Sequence, residues 1–283
     1  MRGRQSHRQV SGAIPRIEPQ WAHHEFIQIA EPARAMFDVT GAKQLLRRGE
    51  TASSYLGEAT TSIVTTTVSD NDLAGLSLDD ELQVLAEFEP DFYLPADAPT
   101  YTLDEPEERI ASIQQSMTGT RWLAEQIDQQ GIGTQLIPLV KGVTPPERAI
   151  CYEMLETIDA VQCGFYASQY FGGRAGVQKD QLIRDLERVD GELNSAGHDH
   201  ELLVIGILAP QTLKRLPNRV TAAAGLQVWR SEVSPREQSE AVVRERYAIL
   251  DELIESALAS SDDDQDESSD RDAARGTTDG TGT

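Results

Sequence analysis

Apolar and β-branched residues fall along this chain in short runs, separated by longer stretches in which they recur every three or four positions. The short runs occupy 35–39, 62–68, 91–95, 135–140, 160–166, 202–208 and, with a weaker pattern, 221–229. Most are apolar on both faces, as a strand covered on both sides must be. Between them Leu78, Leu82 and Leu85 share one helical face, as do Ile110, Ile113 and Met117, and later Leu182, Ile183, Leu186 and Val189. A last helix is predicted over 237–258, where Val242, Val243, Ile249, Leu250, Leu253 and Ile254 recur at helical spacing. Pro145-Pro146-Glu147 reads as a helix start, because proline has no N–H to lose in a first turn.

Strands that alternate with helices imply a parallel sheet with helices packed on its faces. Seven such units predict an α/β fold, a TIM-like (β/α) barrel that is complete or slightly reduced, in a single domain over 26–259. Periodicity leaves an open doubly wound sheet as the alternative. The barrel is favoured because the first run leads into Phe37-Asp38-Val39-Thr40-Gly41, which has no glycine-rich nucleotide turn. Residues 1–25 carry four arginines and three histidines against two acids, with no apolar period, and predict a basic flexible arm. Residues 260–283 hold eight acids and almost nothing apolar, the composition of an acidic disordered tail.

Charge changes the picture in one respect. The chain has 47 acidic residues against 25 basic ones, a formal net charge of −22. Only Lys43, Lys141, Lys179 and Lys214 are lysines, and every other basic residue is arginine. An acidic, lysine-poor surface suits a halophilic setting, where salt screens self-repulsion. In that setting acidity does not exclude nucleic acid as a partner. No apolar run approaches a membrane span and no leader pattern opens the chain, so a cytoplasmic location and no membrane contact are expected. Two cysteines, Cys151 and Cys163, cannot build a disulfide scaffold and are expected to be core thiols.

In parallel α/β folds the chemistry sits where strands end and the following loops begin. The expected strands end in Asp38, in Ser69-Asp70-Asn71-Asp72, and in a segment where Asp97 lies between Pro95 and Pro99. Prolines on both sides restrict the backbone that carries the Asp97 carboxylate. Asp97, Asp38 and Asp70 are therefore the candidate catalytic groups. Lys141 ends the fourth run as a compact cation for a phosphate or a carboxylate. Gln162, Tyr166, Gln169, Gly172 and Gly173 follow as a stretch of amides, aromatic faces and glycines suited to a planar base, and Gly206 allows close approach in the next strand. His198-Asp199-His200 offers two imidazoles without a third ligand nearby in sequence, so it reads as a polar loop and no metal site is expected.

Residues 90–101, 137–142 and 165–176 resemble the tRNA-guanine transglycosylase superfamily, closest to the phage and plasmid branch that inserts 7-deazaguanine bases into DNA. The resemblance implies two aspartates, one that binds and protonates the base and one that attacks the sugar C1′. It implies that Asp97 is the first of these, and that Gln162 or Gln169 reads the purine together with Gly172-Gly173. Two departures stand out. The cysteine cluster of the family's structural zinc is missing, and the late strand reads Val220-Thr221-Ala222-Ala223-Ala224-Gly225 with no carboxylate. Either Asp38, Asp70 or Asp159 takes the nucleophile's role, or the chemistry has been lost. The expected function is exchange of a guanine for a 7-deazaguanine at an N-glycosidic bond, with nucleic acid (DNA ahead of tRNA) and the free 7-deazaguanine base as partners and no cofactor. The alternative is a non-catalytic barrel that binds nucleic acid or a partner protein. A sugar-phosphate or amidohydrolase-type barrel would need a phosphate site or metal ligands, and the sequence offers neither.

Overall fold

The structure is a computed structural model that describes residues 8–171, 178–233 and 238–260. It is an α/β fold containing two four-stranded sheets, each wholly parallel. The strands are β1 (Gly12–Pro15), β2 (Arg34–Asp38), β3 (Thr61–Thr65), β4 (Phe92–Leu94), β5 (Gln135–Leu136), β6 (Gln162–Tyr166), β7 (Glu201–Ile205) and β8 (Val220–Gly225). One sheet has the order β2-β3-β4-β5 and the other β1-β8-β7-β6. Two isolated parallel bridges join the sheets edge to edge, Arg16 with Met36 and Leu139 with Gly164. Backbone bonds support them, from Ile17 N–H to the Met36 carbonyl at 2.7 Å and from Val140 N–H to the Gly164 carbonyl at 2.8 Å.

The helices are α1 (Trp21–Ala30), α2 (Val39–Leu46), α3 (Ala52–Leu56), α4 (Asp70–Ala74), α5 (Leu78–Gln83), α6 (Pro106–Gln130), α7 (Pro145–Thr157), α8 (Lys179–Ala196), α9 (Pro210–Leu213), α10 (Gln227–Val233) and α11 (Glu240–Ala259). A π-helical turn at Val84–Phe88 and a 3-10 turn at Ser168–Tyr170 complete the order. Local chemistry explains their ends. Thr144 and Glu147 form a reciprocal capping box at the start of α7, with prolines in its first turn. Asp38, Ser69 and Ser77 each cap the helix that follows with a side-chain oxygen.

The strands bury two sets of side chains. Ile14, Met36, Ile63, Phe92, Leu94, Ile137, Leu139, Leu203 and Ile205 form one cluster that draws on both sheets. The other faces carry the larger layer packed against the helices, including Phe37, Val64, Tyr93, Cys163, Val204 and Ala223. Each fully buried Leu or Ile in these layers contributes roughly 1.5–3 kcal/mol of transfer free energy. Both cysteines are buried free thiols, and burial pushes Cys151 to about 11 and Cys163 to about 12.

Two expectations are corrected. The flexible arm expected over 1–25 contains β1 and the start of α1, and the described body begins well before residue 26. Ile14 is fully buried and Ala13 nearly so, while the partner strand offers Ala222, Ala223 and Ala224. Such small residues make a close-fitting pair of strands without the bulky apolar run that periodicity detects. The run over 221–229 is also shorter as a strand, because β8 ends at Gly225 and α10 begins at Gln227.

Candidate functional site at the carboxyl ends of the strands

Asp97 follows β4 on a backbone that several elements hold in place. Ala96 sits in the left-handed region at φ 49°, which is strained for a residue with a Cβ. Its N–H donates to Glu81 Oε2 of α5 at 2.9 Å, and the Asp97 N–H donates to Thr66 Oγ1 at 3.0 Å. Thr66 in turn donates its hydroxyl to the Leu94 carbonyl at 3.0 Å. On the far side α6 comes close at Gly119, where an added Cβ would lie 2.7 Å from the Ala96 Cβ.

Glu81 is nearly fully buried, and that burial raises its carboxyl from 4.5 to about 7. The Ala96 N–H and the neighbouring Tyr93 side chain oppose the rise, and Asp97 adds to it. Sequence reasoning misses this residue. A signal is present, since Glu81 falls among Leu78, Leu82 and Leu85 in a helical stretch, and an acid beside an apolar face calls for an explanation.

Lys141, after β5, donates its Nζ to the Asp97 carboxylate, and both side chains are only 13 % exposed. The Lys141 backbone is fixed by Cys151, whose Sγ lies 3.4 Å from its backbone nitrogen. The turn that follows is fixed by Glu147, which accepts the N–H groups of Val143 and Thr144 and pairs with Arg109 at 2.9 Å. Burial alone would raise the Glu147 carboxyl, but these donors bring it down to about 2. Arg148 donates to the Gly142 and Val143 carbonyls and pairs with Glu192, so the loop has little freedom.

Beside this pair lies a cavity of about 310 Å³ lined by Lys141, Phe165, Tyr166, Gln169, Tyr170 and Arg148, among others. The structure therefore brings Lys141, Tyr166 and Gln169 to one cavity, and Asp97 is linked to it by pairing with Lys141 rather than by lining it. Gly172 and Gly173 lie outside the described residues.

Other candidates lie elsewhere or carry structural duties. Gln162 opens β6 at the opposite, amino-terminal end, so its expected role as base reader is corrected. Both of its amide atoms are taken by Val10, accepting that residue's N–H at 3.2 Å and donating to its carbonyl at 2.7 Å. Gly206 does not leave room for a ligand either. It has φ 108° and packs on Ser168, whose Oγ would lie 2.1 Å from an added Cβ. Asp38 stands at a strand end, but one oxygen caps α2 through Gly41 N–H and Thr40 Oγ1, each at 2.7 Å. Asp159 precedes β6 and so lies at the wrong end for Asp97.

Asp70 remains on the same side as Asp97. Its carboxylate accepts the Tyr101 hydroxyl at 2.6 Å and pushes that phenol up to about 12, with Asp97 contributing from nearby. Tyr101 thus feels both carboxylates.

No protein-family model matches the chain, and none of the curated proteins matches it. Among the described residues no helix is long and apolar enough to cross a membrane.

Proposed function

We propose that the two sheets close into one eight-stranded (β/α) barrel, and that the protein is a transglycosylase-like enzyme acting at an N-glycosidic bond in nucleic acid. The edge bridges Arg16–Met36 and Leu139–Gly164, with the apolar cluster drawn from both sheets, support the closed reading. The observation that carries the chemistry is Asp97, its backbone held by Thr66, the preceding Ala96 held by Glu81, and its carboxylate paired with Lys141, which lines a cavity with aromatic and amide side chains.

In this reading a guanine stacks against Tyr166 and Phe165 while Gln169 hydrogen-bonds its edge. Asp70 attacks the sugar C1′ as the C1′–N bond breaks, giving a glycosyl ester, and the leaving base takes a proton from the Asp97–Lys141 pair. The incoming 7-deazaguanine returns a proton to that pair and displaces the Asp70 carboxylate from C1′. DNA is the preferred polymer and tRNA the alternative.

A second reading is a barrel that binds a base or nucleic acid without turnover. It is favoured by β8, which carries no carboxylate where the superfamily carries its nucleophile. One assay separates the two. Labelled guanine and a labelled 7-deazaguanine are incubated with the full chain in concentrated KCl, against duplex DNA and tRNA separately. Label entering either polymer, and lost in both Asp97→Asn and Asp70→Asn, supports the enzyme. Base binding with no incorporation would leave the binding barrel.

A further inference from the structure

A second cluster of chemistry-bearing side chains lies at the opposite end of the strands. His198 and His200 flank Asp199 in the turn between α8 and β7, and alternate residues of an extended segment point the same way. Glu156, in the last turn of α7, meets them. One oxygen or nitrogen from each of these three residues lies within 4.8 Å of the other two. The individual separations are 2.8 Å from His198 Nδ1 to Glu156 Oε1 and 3.9 Å from His200 Nε2 to the same oxygen. Donors arranged tetrahedrally at zinc–nitrogen distances stand roughly 3.3 Å apart, so these values bracket what an ion would impose.

Two further observations bear on how the cluster is set. His200 is 7 % exposed, and its Nε2 stands 3.9 Å from Glu156 Oε1, beyond hydrogen-bond reach of that carboxylate but within reach of a shared ion, while the ring also meets the backbone of Ala160. The turn is also held firmly by its own surroundings. Arg219 donates to the carbonyls of His198 and His200 at 3.0 and 2.7 Å, and its own charge is met by Asp190 at 2.6 Å.

We propose that Glu156, His198 and His200 form a binding site for a borderline divalent transition-metal ion of the Zn²⁺ type. Two imidazoles and a carboxylate suit such an ion and are a poor set for Mg²⁺ or Ca²⁺, which take oxygen ligands. The ion ties the end of α7 to the turn that leads into β7. Glu156 is the exposed member of the set, so the remaining coordination positions open to water. The site is independent of the chemistry at Asp97.

The test is titration of the chelator-stripped full chain with ZnSO₄ in excess Mg²⁺, which occupies ordinary surface carboxylates. Calorimetry gives affinity and stoichiometry, and Co²⁺ in place of Zn²⁺ gives a visible spectrum that reports nitrogen ligands. The expected result is one ion per chain and a raised Tm. Glu156→Gln, on an exposed side chain, and His198→Gln should each weaken binding by at least the ~10–100-fold that outer partners alone cost. His200→Ala should abolish the four-coordinate Co²⁺ bands. Absence of stoichiometric binding in the presence of Mg²⁺, or unchanged binding in folded Glu156→Gln and His198→Gln, would overturn the proposal.

Discussion

The Glu81 carboxylate holds the N–H of Ala96 at 2.9 Å, and so fixes the backbone one residue before Asp97. A buried acid is thereby tied to the geometry of the strand end. Its carboxyl is raised from 4.5 to about 7 by burial. The folded state therefore binds more protons than the unfolded state between those values, and stability falls as pH rises through that window. The full difference corresponds to roughly 3 kcal/mol. Glu81→Gln keeps an acceptor for Ala96 but cannot ionise. Urea unfolding between pH 4.5 and 7.5 should show a falling limb in the native chain and a flatter one in Glu81→Gln. Parallel curves would show that Glu81 does not titrate in that window.

The Asp97–Lys141 pair makes a different prediction, because each partner is buried enough to be stranded by loss of the other. Asp97→Asn and Lys141→Met should each destabilise the fold by about 1–4 kcal/mol, and the double variant by less than the sum. A double-mutant cycle in denaturant should give a coupling above ~1 kcal/mol. Additive effects would mean that the pair is solvated and does not orient Asp97.

Much of the architecture is legible in the order of residues alone, and the reasons are physical. The runs around Ile63, Val64, Leu203 and Val204 are buried on both faces, and a doubly covered strand cannot hide that pattern. Lys141 and Asp97 each read as a strand-end group, and the fold joins them. The features that periodicity does not reveal depend on partners distant in sequence. β1 carries little apolar bulk because it rests on the alanines of β8. Gln162 resembles a base reader until Val10, from 152 residues away, takes both ends of its amide. Glu156 joins His198 and His200 only because α7 ends where β7 begins.

That reassignment of Gln162 can be checked directly. Gln162→Leu leaves the N–H and the carbonyl of Val10 without partners in a buried place, at a cost of about 1–3 kcal/mol. Its effect should be seen in thermal or denaturant stability. Binding of a free base at the Tyr166 cavity should be unchanged in the folded fraction, because the residue lies at the other end of β6. Weakened base binding with normal stability would restore the reading of Gln162 as a recognition residue.

Gly206 and Gly191 should respond to alanine in opposite directions. Gly206 has φ 108°, and an added Cβ would fall 2.1 Å from Ser168 Oγ and 2.7 Å from the Ser168 backbone nitrogen. The side-chain oxygen can rotate away, but the backbone nitrogen cannot. Gly206→Ala should therefore destabilise the fold by more than ~1 kcal/mol and shift the 3-10 turn that carries Gln169 into the cavity. Gly191 lies within α8, and nothing stands within 4 Å of an added Cβ. Gly191→Ala should stabilise by about 0.5–1 kcal/mol, since alanine is the better helix former. Denaturant midpoints of the two variants measure both effects. A neutral Gly206→Ala would show that the β7 turn yields to Ser168, and the glycine would again be open to a role in ligand approach.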